Sequence, residues 1–508
     1  MSPCHPITLS PRQEDPVNFD LLLISILVGL GLVYAVLVKG KWRGWFLLVA
    51  SVIAIYWLQT ATPVRFGNYI LQTVTVALTA LTWWVTRPSS HQEGKAVWPS
   101  LTREDWLTLA VVFGLVVALA FNRFVAADYR LTPARPPSPL WVAGILLALG
   151  LVWAGLTRLL RRADQRKVLT AVILLIVLIF IILKSPPLST AAAAYWRSLT
   201  GQQIALASPS DLVWLGFSYV AFRLIHTLRD RQTGILPDLT LREYVTYVLF
   251  FPAYVSGPID RAERFVADFR QLPQIKGLDA NRWLYGGQRI FTGMFKKFVI
   301  ADSLALGMSL TPELAAQTHA PGWLWLLLYG YALRLFFDFS GYTDIAIGLG
   351  VLFGIRLPEN FIRPYLSTNI TAFWQRWHIT LSDWARFYVF SPLSRSLLRR
   401  KPRPSKTLII FLSQMSTMLV IGLWHGITWN FIIWGAWHGI ALFAHKQWSD
   451  ETRRWYNGLS NHPWQKRSWT AVTWLLTFNY VALGWVWFLM PTPQLALETF
   501  GKLFGIGG

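Results

Sequence analysis

Long uncharged apolar runs alternate with short polar segments along this chain. Crossing the hydrocarbon core of a bilayer takes about 20 apolar residues in a helix. Uncharged runs at 21–38, 45–62, 67–86, 106–122, 136–157 and 168–183 meet or approach that length. They predict six ordinary spanning helices before residue 185. The first run is too long for a cleavable leader, no basic segment precedes it and no Ala-x-Ala site follows. Lys39, Lys41 and Arg43 come directly after it, while Glu14, Asp15 and Asp20 come before. Because Lys and Arg collect on the cytoplasmic side, the N-terminus is expected outside.

The pattern changes in the second half. Apolar segments near 210–226, 240–256, 283–310 and 322–355 are interrupted by Arg223, His226, Arg289, Lys296, Lys297, Arg334, Asp338 and Asp344. Ionisable groups at membrane depth are costly, so they face a protein-lined cavity or pair with one another. Asp338 and Arg334 are expected to pair inside the bundle, with substrate contact as the alternative. From 354 to 406 the chain turns amphipathic, with Trp374, Trp377 and Trp384 interleaved with Arg376, Asp383 and Arg386. That predicts an interfacial or re-entrant segment around 356–395 instead of a full span. The basic cluster Arg395, Arg399, Arg400, Lys401, Arg403 and Lys406 is the best cytoplasmic loop. Residues 407–444 then carry no Asp, Glu, Lys or Arg, yet include His425 and His438, and a last span covers 469–490. The length criterion gives about 11–14 hydrophobic segments in all. The predicted fold is therefore all-α, a polytopic transmembrane helical bundle. Its parts are N-terminal transmembrane helices (1–205), a core (206–447), and a C-terminal loop with the last helix (448–508).

Composition narrows the function classes. Of the 508 residues, 54% are apolar or aromatic and only 14% are charged, about half the charged share of a soluble domain. Disorder, collagen-like repeats and a water-soluble enzyme are excluded. The excess of 47 Lys and Arg over 25 Asp and Glu gives a net charge of +22. In a membrane protein that excess belongs to cytoplasmic loops facing an anionic leaflet, and no nucleic-acid-binding signature accompanies it. A single cysteine, Cys4 in a polar tail, excludes internal disulfides, iron–sulfur clusters and cysteine-rich zinc sites.

Of the nine histidines, two stand out. His425 lies in Ile-Gly-Leu-Trp-His-Gly-Ile-Thr-Trp at 421–429, inside the longest uncharged stretch. His378 lies in the amphipathic Phe-Trp-Gln-Arg-Trp-His-Ile-Thr-Leu-Ser-Asp-Trp at 373–384. One reading of His425 is a neutral core imidazole bonded to a carbonyl across a helix interface. The other is a general base, kept neutral by burial and able to take a proton from a hydroxyl. Gly422 and Gly426 beside it would let a substrate or a neighbouring helix come close. Metal binding is disfavoured by spacing, since there is no His-Glu-x-x-His, no i,i+4 histidine pair and no nearby carboxylate. His425 and His438, 13 apart, would lie on nearly opposite sides of one continuous helix. No phosphate-binding glycine loop and no Gly-x-Ser-x-Gly elbow occurs. The chemistry left is one in which the substrate brings the activation, such as an acyl thioester.

Four blocks in order resemble the membrane-bound O-acyltransferase family. They are Phe-Phe-Pro-Ala-Tyr-Val-Ser-Gly-Pro-Ile-Asp-Arg at 250–261 and Phe-Asp-Phe-Ser-Gly-Tyr-Thr-Asp-Ile-Ala-Ile-Gly at 337–348. Next comes Pro-Glu-Asn-Phe-Ile-Arg-Pro-Tyr at 358–365, running on to Trp377 and His378. Last is Trp-His-Gly at 424–426, with Trp-Gly-Ala-Trp-His-Gly at 434–439. The resemblance covers about residues 212–445 and is to the bacterial branch, which includes the alginate O-acetyltransferase and the D-alanyl transfer protein of teichoic acids. After Tyr388 the acetyltransferases carry Gly-Gly-Asn-Arg, where this chain has Ser-Pro-Leu-Ser-Arg-Ser at 391–396.

The resemblance implies a central tunnel with His425 as the catalytic residue and His378 as the second histidine. It also implies transfer of an acyl group, of acetyl or D-alanyl kind, to a hydroxyl of an extracytoplasmic polysaccharide or cell-envelope glycan. The donor would be a thioester, acyl-CoA or an acyl carrier protein on the cytoplasmic side, with no bound cofactor and no metal. Partners would be the lipid bilayer of a bacterial cell membrane, the donor or its carrier, and an extracytoplasmic acyltransferase, with no nucleic acid. A transporter or flippase of envelope precursors is the alternative. It is expected to interrupt helices similarly in both halves, whereas here the polar interruptions gather in one half. A non-catalytic scaffold would have no use for a neutral histidine at depth.

Overall fold

The computed structural model describes residues 21–506, except positions 89, 93–94, 98–99, 161–162 and 276; for 90–92, 95–97 and 156–160 it describes the backbone. Cys4, His5, Glu14, Asp15 and Asp20 lie outside the described residues. The chain divides into two compact units, Met1–Gln288 with Ala346–Leu357, and Arg289–Ile345 with Pro358–Gly508.

In the first unit the six predicted spans form the helices Leu21–Leu37, Trp42–Trp57, Gly67–Val85, Arg103–Ala120, Pro139–Leu160 and Gln165–Lys184. Their starts follow local chemistry. Thr102 and Asp105 form a reciprocal capping box, and the Asp164 side chain accepts from the Arg166 N–H, satisfying amides that have no intrahelical partner. The Gly67–Val85 helix carries polar residues yet is largely buried. It hides their hydroxyls by donating to the carbonyl one turn back, Thr75 to Leu71, Thr79 to Thr75 and Thr82 to Leu78, so the sequence tolerates threonine inside an apolar bundle. A two-stranded antiparallel hairpin, Ser90–Gln92 with Lys95–Val97, is a small addition to the all-α plan.

The apolar segment near 240–256 is not one helix. Helix Leu241–Leu249 has nine residues, about half the length a crossing needs, and a turn follows. Arg223, fully buried, donates to Val248 O and Ala253 O, both at 2.7 Å. It thereby satisfies carbonyls freed where the helix stops, which explains a charge at that depth.

The second unit includes the helix Pro321–Leu352 as far as residue 345. The interior charges pair, though not as expected. Asp338 pairs with Lys297 (2.7 Å) and not with Arg334, and Asp344 takes both Arg289 (2.5 Å) and Lys296 (2.6 Å). Lys296 and Lys297 lie in a π-helical turn, Phe295–Ala301. A π turn aligns residues five apart, which brings Lys297 within 2.9 Å of Asp302. Residues 356–395 are broken into short pieces, Ile370–Trp374, Ile379–Ala385 and a second π turn at Arg386–Phe390, as a non-spanning segment requires. The uncharged stretch from 407 is two helices, Lys406–His425 and Trp429–Gly458, followed by Pro463–Leu489 and Pro493–Leu503.

Among the described residues five helices are long and apolar enough to cross a bilayer, Arg103–Phe124, Gln165–Lys184, Pro321–Leu352, Lys406–His425 and Pro463–Leu489. Shorter apolar helices cover Leu21–Leu37, Trp42–Trp57 and Pro139–Gly155. This is a polytopic, multi-pass helical membrane protein.

Candidate active site

Small residues set the site's frame. In the helical hairpin, Gly435 and Gly439 stand four apart on Trp429–Gly458, a spacing that lets two membrane helices approach closely. A Cβ on Gly422 would lie 2.3 Å from Phe431 O, and one on Gly435 2.7 Å from Met418 O. The close approach at these glycines is therefore by the neighbouring helix. A break at 426–428 replaces the continuous helix considered above, so the 13-residue spacing no longer separates His425 from His438. Both rings lie against Trp434, His425 at 5.4 Å and His438 at 4.9 Å between ring centroids.

His425 is the last residue of its helix and is partly exposed. Its ring is bordered by Trp424 (4.4 Å), Phe431 (5.7 Å) and Phe488 (4.7 Å). His438 is 0% exposed, among Trp374, Trp434 and Phe373.

His378 belongs to the broken segment, and its backbone is unusual. It has φ 43° and ψ 54°, a left-handed conformation that non-glycine residues seldom adopt and that gathers at functional sites. Asn360 holds it there. The Asn360 carbonyl accepts from Ile379 N–H (3.0 Å), and its side-chain oxygen accepts from Thr380 N–H (3.2 Å) and Thr380 Oγ1 (2.7 Å). The imidazole is 3% exposed, edge-on to Phe339 at 4.8 Å and 6.0 Å from Trp424. Burial pushes it well below the ordinary histidine range, so it is neutral. Neither ring nitrogen of His378 or of His438 has a hydrogen-bond partner among the described residues.

The two site histidines named from sequence thus meet through Trp424, in one aromatic cluster that His438 joins through Trp434. Sequence reasoning assigned no role to Asn360, although its Pro-Glu-Asn-Phe block was in view, or to Phe339 and Phe488. Such an enclosure of rings can hold a neutral imidazole beside an acyl group and exclude water from it.

A second histidine centre lies in the first unit. His226 Nδ1 is 3.4 Å from Asp230 Oδ2, and its Nε2 accepts from the Ala262 N–H at 3.1 Å. Arg261 reaches Asp230 (3.2 Å) and Glu263 (2.7 Å). His226, Asp230 and Glu263 have their ligand atoms within 4.8 Å of one another, and the Arg261 guanidinium is paired with both carboxylates.

Residues 168–484 match the family model described as MBOAT, membrane-bound O-acyltransferase family. The chain is 35% identical to a "Teichoic acid D-alanyltransferase" of Streptococcus thermophilus, over 55% of this chain and 69% of that protein. It is 36% identical to a "Probable alginate O-acetylase AlgI" of Pseudomonas fluorescens, over 58% of this chain and 55% of that protein. It is also 36% identical to a "Peptidoglycan O-acetyltransferase" of Helicobacter pylori, over 52% of this chain and 47% of that protein. The chain thus spans about half the length of the last two.

Proposed function

The chain belongs to the membrane-bound O-acyltransferase family, and on that premise we propose that it moves an acyl group from a thioester to a hydroxyl of an extracytoplasmic polysaccharide or other cell-envelope glycan. The names of the three relatives, for D-alanyl or acetyl transfer to envelope polymers, support that acceptor class. The observation that carries the reading is the partly exposed His425, held by aromatic rings at the end of its helix beside buried His378.

In the proposed step, His425 takes the hydroxyl proton as the oxygen attacks the acyl carbonyl. The carbon–sulfur bond breaks as the ester forms, and the imidazolium returns the proton to the departing thiolate. Protons and electrons balance without a bound cofactor. His378 is the second histidine of the site, held in place by Asn360. The donor, acyl-CoA or an acyl carrier protein, approaches from the cytoplasmic side, where the basic segment 395–406 lies, and an extracytoplasmic acyltransferase is the partner on the acceptor side. The membrane is the bacterial plasma membrane.

The test takes inverted membrane vesicles carrying the chain, with envelope polysaccharide sealed in the lumen, and adds a radiolabelled acetyl or D-alanyl thioester outside. Base-labile label should appear on the polymer. Label that stays on the thioester with both acyl groups, while the protein is folded, would contradict the reading.

A further inference from the structure

Away from the histidines, the second unit has an open groove of about 590 Å³ lined by Leu366, Thr368, Ser460, Lys466, Arg467 and Trp474, with Pro463, Thr470 and Ala471 completing it. Two of the lining residues are cationic and the rest are apolar or hydroxylic. No carboxylate lines it, and the sequence has none between Glu451 and Glu498 or between Glu359 and Asp383. Lys466 makes a long contact to Ser460 Oγ (3.4 Å), and Arg467 lies over Trp464 (5.4 Å). Two exposed cations side by side without a carboxylate form a positive patch that attracts an anion.

Its position says which anion. Lys466 and Arg467 lie in the first two turns of the long apolar helix Pro463–Leu489. Trp448, Trp455 and Trp464 nearby in sequence are exposed, Trp464 by 77%, in the manner of tryptophans at a membrane–water boundary. Helices Lys406–His425 and Trp429–Gly458 pack as a hairpin, which puts the basic segment that ends at Lys406 at the same end as the start of Pro463–Leu489. A cationic mouth at the boundary, above an apolar floor of Leu366, Ala471 and Trp474, matches a phosphate on a hydrocarbon tail.

We propose that this groove binds the phosphodiester headgroup of an anionic membrane phospholipid, with Lys466 and Arg467 on the phosphate, the Ser460 and Thr470 hydroxyls beside it and an acyl chain along Trp474. Two juxtaposed cations at a membrane surface contribute on the order of 30-fold to affinity for an anionic lipid.

The full chain is reconstituted in nanodiscs of phosphatidylglycerol and phosphatidylcholine, and the lipid retained is read by native mass spectrometry. The wild type should retain phosphatidylglycerol selectively, and Lys466→Gln with Arg467→Gln should lose most of that selectivity. Arg453→Gln with Arg454→Gln removes equal charge outside the groove and should keep it. Ala471→Trp fills the floor while sparing both cations, and should also release the lipid. Unchanged retention in the groove variants, or equal loss in the Arg453/Arg454 control, overturns the proposal. Displacement of the lipid by soluble coenzyme A would assign the phosphate subsite to a water-borne ester and overturn the lipid.

Discussion

The two buried histidine centres differ in what their nitrogens do. Around His226 one ring nitrogen faces Asp230, the other accepts from the Ala262 amide, and Arg261 completes the set. In the aromatic cluster, His378 and His438 have no such partners among the described residues, and His425 ends a helix among rings with part of its surface open. Burial is common to both centres and so does not identify chemistry. Pairing separates them. His226, with both ring nitrogens engaged, ties parts of the fold together, whereas His378 and His438 lie among aromatic rings without that pairing.

The comparison is broken most severely by separating the hairpin that builds the second centre. Gly422→Val would push a side chain into Phe431 O, 2.3 Å from the position of a Cβ. The overpacking should cost about 3 kcal/mol and remove activity together with the folded protein. Normal size-exclusion behaviour and thermal stability of this variant would refute the close-packing account.

Next in size is His378→Ala. Loss of the second histidine should lower transfer roughly 10²-fold, with the fold partly retained, whereas Trp374→Ala should mainly destabilise. Full transfer by the His378 variant would leave that residue a packing role only.

His226→Gln should do the reverse. Breaking a buried, paired network costs about 2 kcal/mol, visible as a lower unfolding midpoint, while turnover per folded molecule stays unchanged. A specific loss of turnover would erase the distinction between the two centres.

The smallest effect is a pH dependence. Because burial depresses His378 in the fold, to about 3, protonation favours the unfolded chain. The stability this group contributes is present above its unfolded pKa, near 6.5, and is lost as pH falls from there toward 3, by about 1 kcal/mol per pH unit. His378→Gln should flatten the decline in unfolding midpoint between pH 6.5 and 5, and an unaltered slope would contradict the assignment.

Much of this was legible in the sequence because a bilayer is a strict solvent. Six uncharged runs became six helices, and the amphipathic segment around Trp377 became the broken one. Periodicity could not find the interruption at 426–428, where Gly426, Ile427 and Thr428 continue an apolar run without a charge. Nor could spacing choose a partner for Asp338: Arg334 is one turn away, yet the carboxylate meets Lys297 (2.7 Å), a pairing fixed by helix packing. His425 stood out as a polar group in an uncharged run, and His378 through its tryptophan-rich amphipathic segment and the family resemblance. Asn360 did not, because its work is to stabilise a left-handed turn that only the folded backbone displays.

The central claim is that His425 accepts a proton, and His425→Gln tests it most directly. Glutamine keeps much of the volume and a hydrogen-bond donor but cannot act as a base. Transfer should fall by ~10²–10⁴, to the level of His425→Ala, in protein that extracts and unfolds like the wild type. A His425→Gln enzyme that still acylates its acceptor at near the wild-type rate would show that the imidazole only fills space or donates a hydrogen bond.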